Sequence, residues 1–141
     1  MQTIRTRAEL EASLATLPHP VALVPTMGAL HAGHAALIAA ARQGAASVVA
    51  TIFVNPRQFG SGDEAARYPR ALEADRRLAE RAGADLLFVP DVDEIYPPNE
   101  PVPNVDPGPL ALRLEGASRP GHFARSEEHT SELQSRQYLV C

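Results

Sequence analysis

The chain has 141 residues, of which 45% are hydrophobic, and this is enough for one globular domain with a core. A net charge of −4 without any cluster of basic residues argues against nucleic acid as the main partner, and no apolar run is long enough to span a membrane. The N-terminus lacks the apolar core of a secretory signal, and the single cysteine, Cys141, excludes a disulfide framework and a thiolate metal site, so we expect a cytoplasmic protein.

Helices and short apolar strands alternate along the first 90 residues. A helix is predicted over 6–17, because leucines recur at helical spacing and Thr6 and Glu9 are placed as a capping box. Pro18 and Pro20 end it. The elements that follow are a strand at 21–25, a helix at 34–44 that stops at Gly44, a strand at 47–55, a helix from Pro69 to Gly83 and a strand at 85–90.

This alternation predicts an α/β fold, with a Rossmann-like parallel sheet and helices on both faces. The proline-rich stretch 96–109 can be neither regular helix nor central strand, and a short helix is predicted at 110–116. Ligands of such sheets bind beyond the carboxyl ends of the strands. Two stretches occupy that position, namely 26–34 after the first strand and 55–60 after the second.

The stretch "VPTMGALHAGH", residues 24–34, places two glycines and two histidines at the predicted start of a helix. A helix N-terminus offers unpaired N–H groups that bind phosphate, and Gly28 lets a ligand approach the backbone closely. Gly33 removes a side chain where a base or ribose could pack. His31 and His34 share one face of the first turn, where an imidazole can donate a hydrogen bond to a phosphate as charge builds. The pattern predicts nucleotidyl transfer.

Other interpretations of these residues stay open. The two histidines could simply cap the helix and face solvent. Two histidines without a third ligand make a poor metal site, so no metal site is predicted. Asn55 and Pro56 could merely end a strand, leaving Gln58 on the surface, although the Gln58 amide can both donate to and accept from a hydroxy acid. Three acidic residues are better explained by a solvated loop than by a cation site: Asp91, Asp93 and Glu94.

"HAGH", residues 31–34, resembles the His-x-Gly-His motif of the nucleotidyltransferase superfamily, which includes class I aminoacyl-tRNA synthetases and cytidylyltransferases. The longer sequence, from Met1 to about Ala124, resembles the pantothenate synthetase family. The resemblance rests on five stretches in the same order: "VPTMGALHAGHAALI", "TIFVNPRQFG", "YPR", "DLLFVPDVDEIYP" and "LEGASRPGHF".

The resemblance implies a reaction in two steps. ATP and pantoate give pantoyl adenylate and pyrophosphate, and the amine of β-alanine then attacks the adenylate to give pantothenate and AMP. It implies His34 as the catalytic histidine, Gln58 and Asn55 as residues of the pantoate and β-alanine pocket, Mg²⁺ with the ATP phosphates, and a homodimer. The implied ATP site consists of Met27, Gly28, Ala29, Leu30, His31, Ala32, Gly33 and His34, with His31 at the phosphates. Arg119 and His122 fall in a further family motif.

The end of the chain departs from this pattern. Alanine is abundant up to Ala124, whereas 125–141 contains no alanine, glycine or proline, and "RSEEHTSELQS" resembles a translated sequencing adapter. We therefore predict a partial domain at 1–124 and a foreign or disordered tail at 125–141. The family's later lysine-containing segments and its C-terminal lid domain are absent, and all 13 basic residues here are arginine. The missing strands are expected to leave a sheet edge exposed.

Three functions are compatible with these observations. The first is the N-terminal part of a pantoate–β-alanine ligase, inactive as it stands. The second is a different nucleotidyltransferase with the same histidine motif, against which "NPRQF" argues. The third is a non-functional fragment from a misassembled reading frame, which the tail favours.

Overall fold

The computed structural model describes residues 1–58 and 71–99, together with Pro109, Ala117 and Leu139–Val140. The strands are β1 (Gln2–Ile4), β2 (Val21–Thr26), β3 (Ser47–Ile52), β4 (Leu86–Phe88) and β5 (Leu139–Val140). The helices are α1 (Arg7–Leu14), α2 (Ala32–Gly44), α3 (Leu72–Ala82) and α4 (Val92–Ile95), and one turn of 3₁₀ helix covers Pro56–Gln58.

All strand pairs are parallel, in the spatial order β1-β4-β3-β2-β5. The predicted parallel α/β sheet is therefore confirmed. Strand β1 was not predicted, because three residues at the start of a chain are too short for a recognisable period. It lies beside β4, where Ile4 is buried and its carbonyl accepts a hydrogen bond from Val89 N–H (2.9 Å).

The two faces of the sheet carry separate apolar clusters, which confirms the prediction of helices on both faces. Alternate residues of a strand point to opposite faces, so Val21 and Leu23 pack on one cluster and Ala22 and Val24 on the other. Leu14 of α1 belongs to the first cluster. The second contains the buried residues Ile38 and Ala41 of α2 and Ala79 of α3.

Several predicted element ends are corrected. Helix α1 has the predicted Thr6–Glu9 capping box but ends at Leu14 rather than at residue 17. Helix α2 begins at Ala32, two residues before the predicted start, because His31 acts as its N-cap, and it ends at Gly44 as predicted. Helix α3 begins at Leu72; Pro69 lies outside the described residues, and Gly83 ends the helix in a left-handed conformation as predicted.

Two strands are shorter than the apolar runs that predicted them, whereas β2 extends one residue beyond the predicted 21–25. The run 47–55 is a strand only over Ser47–Ile52, and 85–90 only over Leu86–Phe88. A strand lasts only as long as it has a hydrogen-bonded neighbour, and β1 offers β4 three residues. Of the acidic residues predicted to lie in a loop after β4, Asp93 and Glu94 belong to the unpredicted helix α4 and Asp91 is its N-cap. Glu94 Oε2 accepts a hydrogen bond from Arg7 N–H (2.7 Å).

The outer edge of β2 pairs with two residues of the predicted tail. Leu139 lies opposite Ala22, and Val140 lies opposite Leu23, so the first part of that edge is covered rather than exposed. The rest of the tail, the predicted helix at 110–116 and the motif with Arg119 and His122 lie outside the described residues. The foreign origin of 125–141 stays a prediction.

Candidate active site

The carboxyl ends of the central strands surround a cavity of about 240 Å³. Met27 and Gly28 line it from the loop after β2, whereas His31 and His34 do not. The other lining residues lie at or just after the ends of β1, β3 and β4 and at the start of α3: Arg5, Ile52, Phe53, Val54, Ala71, Leu72, Asp75, Val89, Pro90, Asp91 and Val92. The loop predicted to bind nucleotide therefore lies at the expected edge of the sheet.

The loop after β2 leaves the sheet through two residues with left-handed backbone. Gly28 has φ +88° and Ala29 has φ +52°. Buried Thr26 fixes the start of the loop, because its hydroxyl donates to Thr51 O (2.6 Å) and accepts from Gly28 N–H (3.2 Å). A Cβ added at Gly28 would lie 3.0 Å from Ile52 Cγ2 and 3.2 Å from Asp75 Oδ2. Glycine is therefore needed here for both backbone conformation and space.

The carboxylate of Asp75, in α3, accepts hydrogen bonds from this loop. Its side chain is buried, at 4% exposure, and its two carboxylate oxygens accept from Ala29 N–H (2.9 Å) and Leu30 N–H (2.7 Å). In the sequence Asp75 stands out only as part of an amphipathic pattern, so this contact was not predicted. A signal was present, because Asp75 lies three residues after Leu72 and four before Ala79, on the apolar face of the helix.

His31 and His34 cap the first turn of α2 and contact each other. His31 Nδ1 accepts from Gly33 N–H (3.1 Å), and His31 N–H donates to His34 Nδ1 (3.3 Å). Their ring centroids are 4.2 Å apart. The capping interpretation is therefore correct, and it is compatible with a catalytic role. Because both Nδ1 atoms accept, each neutral ring carries its proton on Nε2, which leaves an N–H donor at the other end of the ring.

The electrostatics of the pair favour neutral His34. Partial burial lowers the pKa of His34 below its usual value, and a positive charge on His31 lowers it further, whereas the Asp75 carboxylate opposes both effects. At neutral pH the His34 ring is therefore a neutral donor beside a helix N-terminus, an arrangement that can hold phosphate oxygens. A Cβ at Gly33 would lie 2.9 Å from His31 Cε1, so the missing side chain makes room for the His31 ring, and the packing of a base or ribose against Gly33 stays a prediction.

The segment after β3 is organised around Asn55, which is fully buried. Its side-chain Oδ1 accepts from Arg57 N–H (3.0 Å) and from the Tyr96 hydroxyl (3.2 Å). The Arg57 guanidinium lies over the Tyr96 ring, 5.0 Å from its centroid. Asn55 thus holds the turn that ends at Gln58, whose side chain lies outside the described part of the structure. Tyr96 is a supporting residue that sequence reasoning missed, because 41 positions separate it from Asn55.

No three histidine, cysteine, aspartate or glutamate side chains in the described part of the chain are grouped as a metal site. No described helix is long and apolar enough to cross a bilayer.

Substituting Gly28 by alanine is expected to destabilise the protein by about 1–3 kcal/mol, because the new Cβ meets both a strained backbone and close neighbours. Gly44 is the matched control: a Cβ there meets nothing within 4 Å, and it lies in a helix, so Gly44→Ala should be stabilising by up to about 1 kcal/mol. Urea unfolding of both variants measures the two changes. Equal effects would contradict the assigned role of Gly28.

A family model described as Pantoate-beta-alanine ligase matches residues 2–127. Among curated relatives, a pantothenate synthetase of Streptomyces coelicolor is 60% identical over 105 residues, which cover 72% of this chain and 31% of the relative. That of Paenarthrobacter aurescens is 54% identical over 123 residues, which cover 84% of this chain and 42% of the relative. The chain thus spans about a third to two fifths of the length of these relatives.

Solved structures agree with the family match. Pantothenate synthetase from Thermus thermophilus superposes with a TM-score of 0.84 at 50% identity, covering 94% of this chain and 48% of that one. Pantoate-beta-alanine ligase from Francisella tularensis, complexed with beta-gamma ATP and beta-alanine, gives a TM-score of 0.87 at 33% identity. Here the match covers 96% of this chain and 52% of the other.

Proposed function

Because this chain belongs to the pantoate–β-alanine ligase family, we propose that its residues form the nucleotide-binding part of an enzyme that makes pantothenate from pantoate and β-alanine. ATP is the co-substrate, and the reaction passes through pantoyl adenylate. The pantoate carboxylate attacks the α-phosphorus of ATP and pyrophosphate leaves. The β-alanine amine then attacks the activated carbonyl, and AMP leaves.

The observation that carries this proposal is the His31–His34 pair at the N-terminus of α2. The Nε2–H groups and the helix N-terminus supply donors where the leaving phosphates gain negative charge. We assign His34 as the catalytic donor and His31 as a phosphate contact. Met27 to Gly33 form the rest of the ATP site, with Mg²⁺ arriving on the ATP phosphates.

Pantoate and β-alanine are assigned to the neighbouring strand end. Gln58 contacts both substrates, and Asn55 shapes that pocket by holding the turn in place. The Francisella relative was solved in complex with beta-gamma ATP and beta-alanine, which supports ATP and β-alanine as substrates.

Two further proposals concern the rest of the protein. The lid domain and the lysine-containing segments of the family belong to the whole enzyme, which we propose is a homodimer in the cytoplasm. Residues 125–141 are proposed to be foreign. Sequencing the locus beyond the codon for Ala124 tests this, and a native reading frame through 125–141 would contradict it.

A full-length protein carrying residues 1–124 is expected to release pyrophosphate from ATP with pantoate, and to form AMP and pantothenate once β-alanine is added. Pantoate should be compared with other small hydroxy acids and with nucleotidyl acceptors such as phosphocholine. Pyrophosphate release with another acceptor but not with pantoate would favour a different nucleotidyltransferase. The chain as given is the control, and we expect it to show no turnover because lids complete such sites.

A further inference from the structure

Asp75 is a buried carboxylate that binds backbone groups instead of a cation. It is 4% exposed, and its oxygens lie 2.9 Å from Ala29 N and 2.7 Å from Leu30 N. Within residues 1–58 and 71–99, no ion pair involves it. Burying a carboxylate costs free energy that must be offset locally, and here two backbone donors on adjacent residues do so.

Those two donors belong to the strained part of the loop. Ala29 has φ +52°, a conformation that residues with a Cβ avoid, and Gly28 before it has φ +88°. The two hydrogen bonds to Asp75 favour this conformation, because an extended Ala29 would turn the Leu30 N–H away from the direction of the Ala29 N–H, and one carboxylate could not then accept from both. A Cβ at Gly28 would also lie 3.2 Å from Asp75 Oδ2, so the carboxylate and the loop are packed directly against each other.

We infer that Asp75 is a positioning residue for ATP, acting by holding Gly28, Ala29 and Leu30 in the conformation that presents the loop and the His31–His34 pair to the triphosphate. This inference rests on the proposed function, because it takes ATP as the ligand of the loop. This role needs no contact between Asp75 and the reacting atoms, although Asp75 is among the residues that line the cavity. It acts through the two N–H groups that it accepts from.

The inference has a kinetic signature that a structural role lacks. When only a fraction of the protein molecules has the loop in the conformation that binds ATP, the apparent Kd for ATP equals the intrinsic Kd divided by that fraction. Loss of Asp75 should therefore raise KM for ATP, whereas kcat at saturating ATP changes little. A general loss of folded protein would lower kcat and leave KM unchanged.

The test is Asp75→Asn in the full-length protein, because asparagine keeps the shape but places an NH₂ group against a backbone N–H. KM for ATP is expected to rise on the order of 10- to 100-fold, the range for a lost charged hydrogen bond, with kcat within a few-fold of wild type. Glu73→Gln is the matched control. Glu73 is an exposed carboxylate of the same helix, paired with Arg76 and Arg77, and its loss should leave both constants unchanged.

A second variant tests the mechanism of the effect. Adding Ala29→Gly to Asp75→Asn lowers the cost of the left-handed conformation and should recover roughly tenfold of the lost ATP affinity. An unchanged KM for ATP in Asp75→Asn, or a fall in kcat alone, would overturn the inference. So would a double variant no better than the single one.

Hydrogen exchange of the wild-type full-length protein tests the inference even if the Asp75→Asn variant does not fold. The Ala29 and Leu30 amides should exchange their hydrogens roughly 100-fold more slowly than in an unstructured peptide. Unprotected Ala29 and Leu30 amides would contradict the inference, whatever the kinetic measurements give. If instead the wild-type full-length protein releases no pyrophosphate with pantoate while these amides are protected, the proposed function fails and the loop contact stands.

Discussion

Replacing His34 by alanine in the full-length protein is expected to lower the rate of adenylate formation on the order of 10²–10³-fold, the usual cost of one lost donor to a developing negative charge. The Nε2–H of the neutral ring is the donor at issue, because Nδ1 already accepts from His31 N–H. Pyrophosphate release in a single turnover, with ATP and pantoate saturating, measures the chemical step without product release.

The two nitrogens of His34 can be separated by substitution. Asparagine places an acceptor near the position of Nδ1 and keeps the bond from His31 N–H, but it lacks any group at Nε2. His34→Asn should therefore be as slow as His34→Ala, with less loss of stability. His19, exposed in the turn before β2, is the control, and His19→Ala should leave the rate unchanged. Near-normal adenylate formation by His34→Asn would show that capping alone is the role of this residue.

Replacing Gln58 by alanine is expected to impair the use of pantoate far more than the binding of ATP. A pantoate hydroxyl or carboxylate left without its partner costs roughly 1–3 kcal/mol, which corresponds to a rise of about 5- to 150-fold in KM for pantoate. Steady-state kinetics with each substrate varied in turn separate the two effects. The turn that carries Gln58 is held by Asn55 beneath it, so the change removes a side chain without removing its support.

Gln43 supplies the matched control for this substitution. It is an exposed glutamine of α2, and Gln43→Ala removes the same atoms with no expected effect on either KM. Gln58→Glu is a second probe, because it keeps the shape but places a negative charge near the pantoate carboxylate, and it should be worse than alanine. Equal losses of affinity for ATP and pantoate would place Gln58 outside the pantoate pocket.

Local patterns predicted the elements better than their ends. The apolar runs before Thr26 and around Val48 identified β2 and β3, and the Thr6–Glu9 pair identified the start of α1, since these signals are contained in a few adjacent residues. Strand β1 and the true ends of β3 and β4 depend on which strand lies alongside. That neighbour is distant in sequence: Ile4 pairs with Phe88.

In the candidate site, too, adjacent residues predicted some features, whereas others depended on the folded structure. The motif "HAGH" placed His31 and His34 on one helical turn and predicted their shared face, because residues three apart on a helix are neighbours whatever surrounds them. The bond from His31 N–H to His34 Nδ1, which fixes the proton on Nε2, required the geometry of the N-cap. The role of Tyr96 beneath Asn55 likewise came from the packing of α4 against the end of β3.

The sequence by itself determined the class of fold, the family and the position of the loop for which we propose nucleotide binding, because periodicity, glycine placement and a long ordered set of motifs are properties of neighbouring residues. Only the tertiary structure decided what holds that loop in place. Asp75 lies 46 residues after Ala29, and its position on the apolar face of α3 indicates a buried carboxylate without identifying the group that it binds. Folding brings its carboxylate under two backbone N–H groups, and a contact between side chain and backbone leaves no mark in the sequence of the loop that it supports.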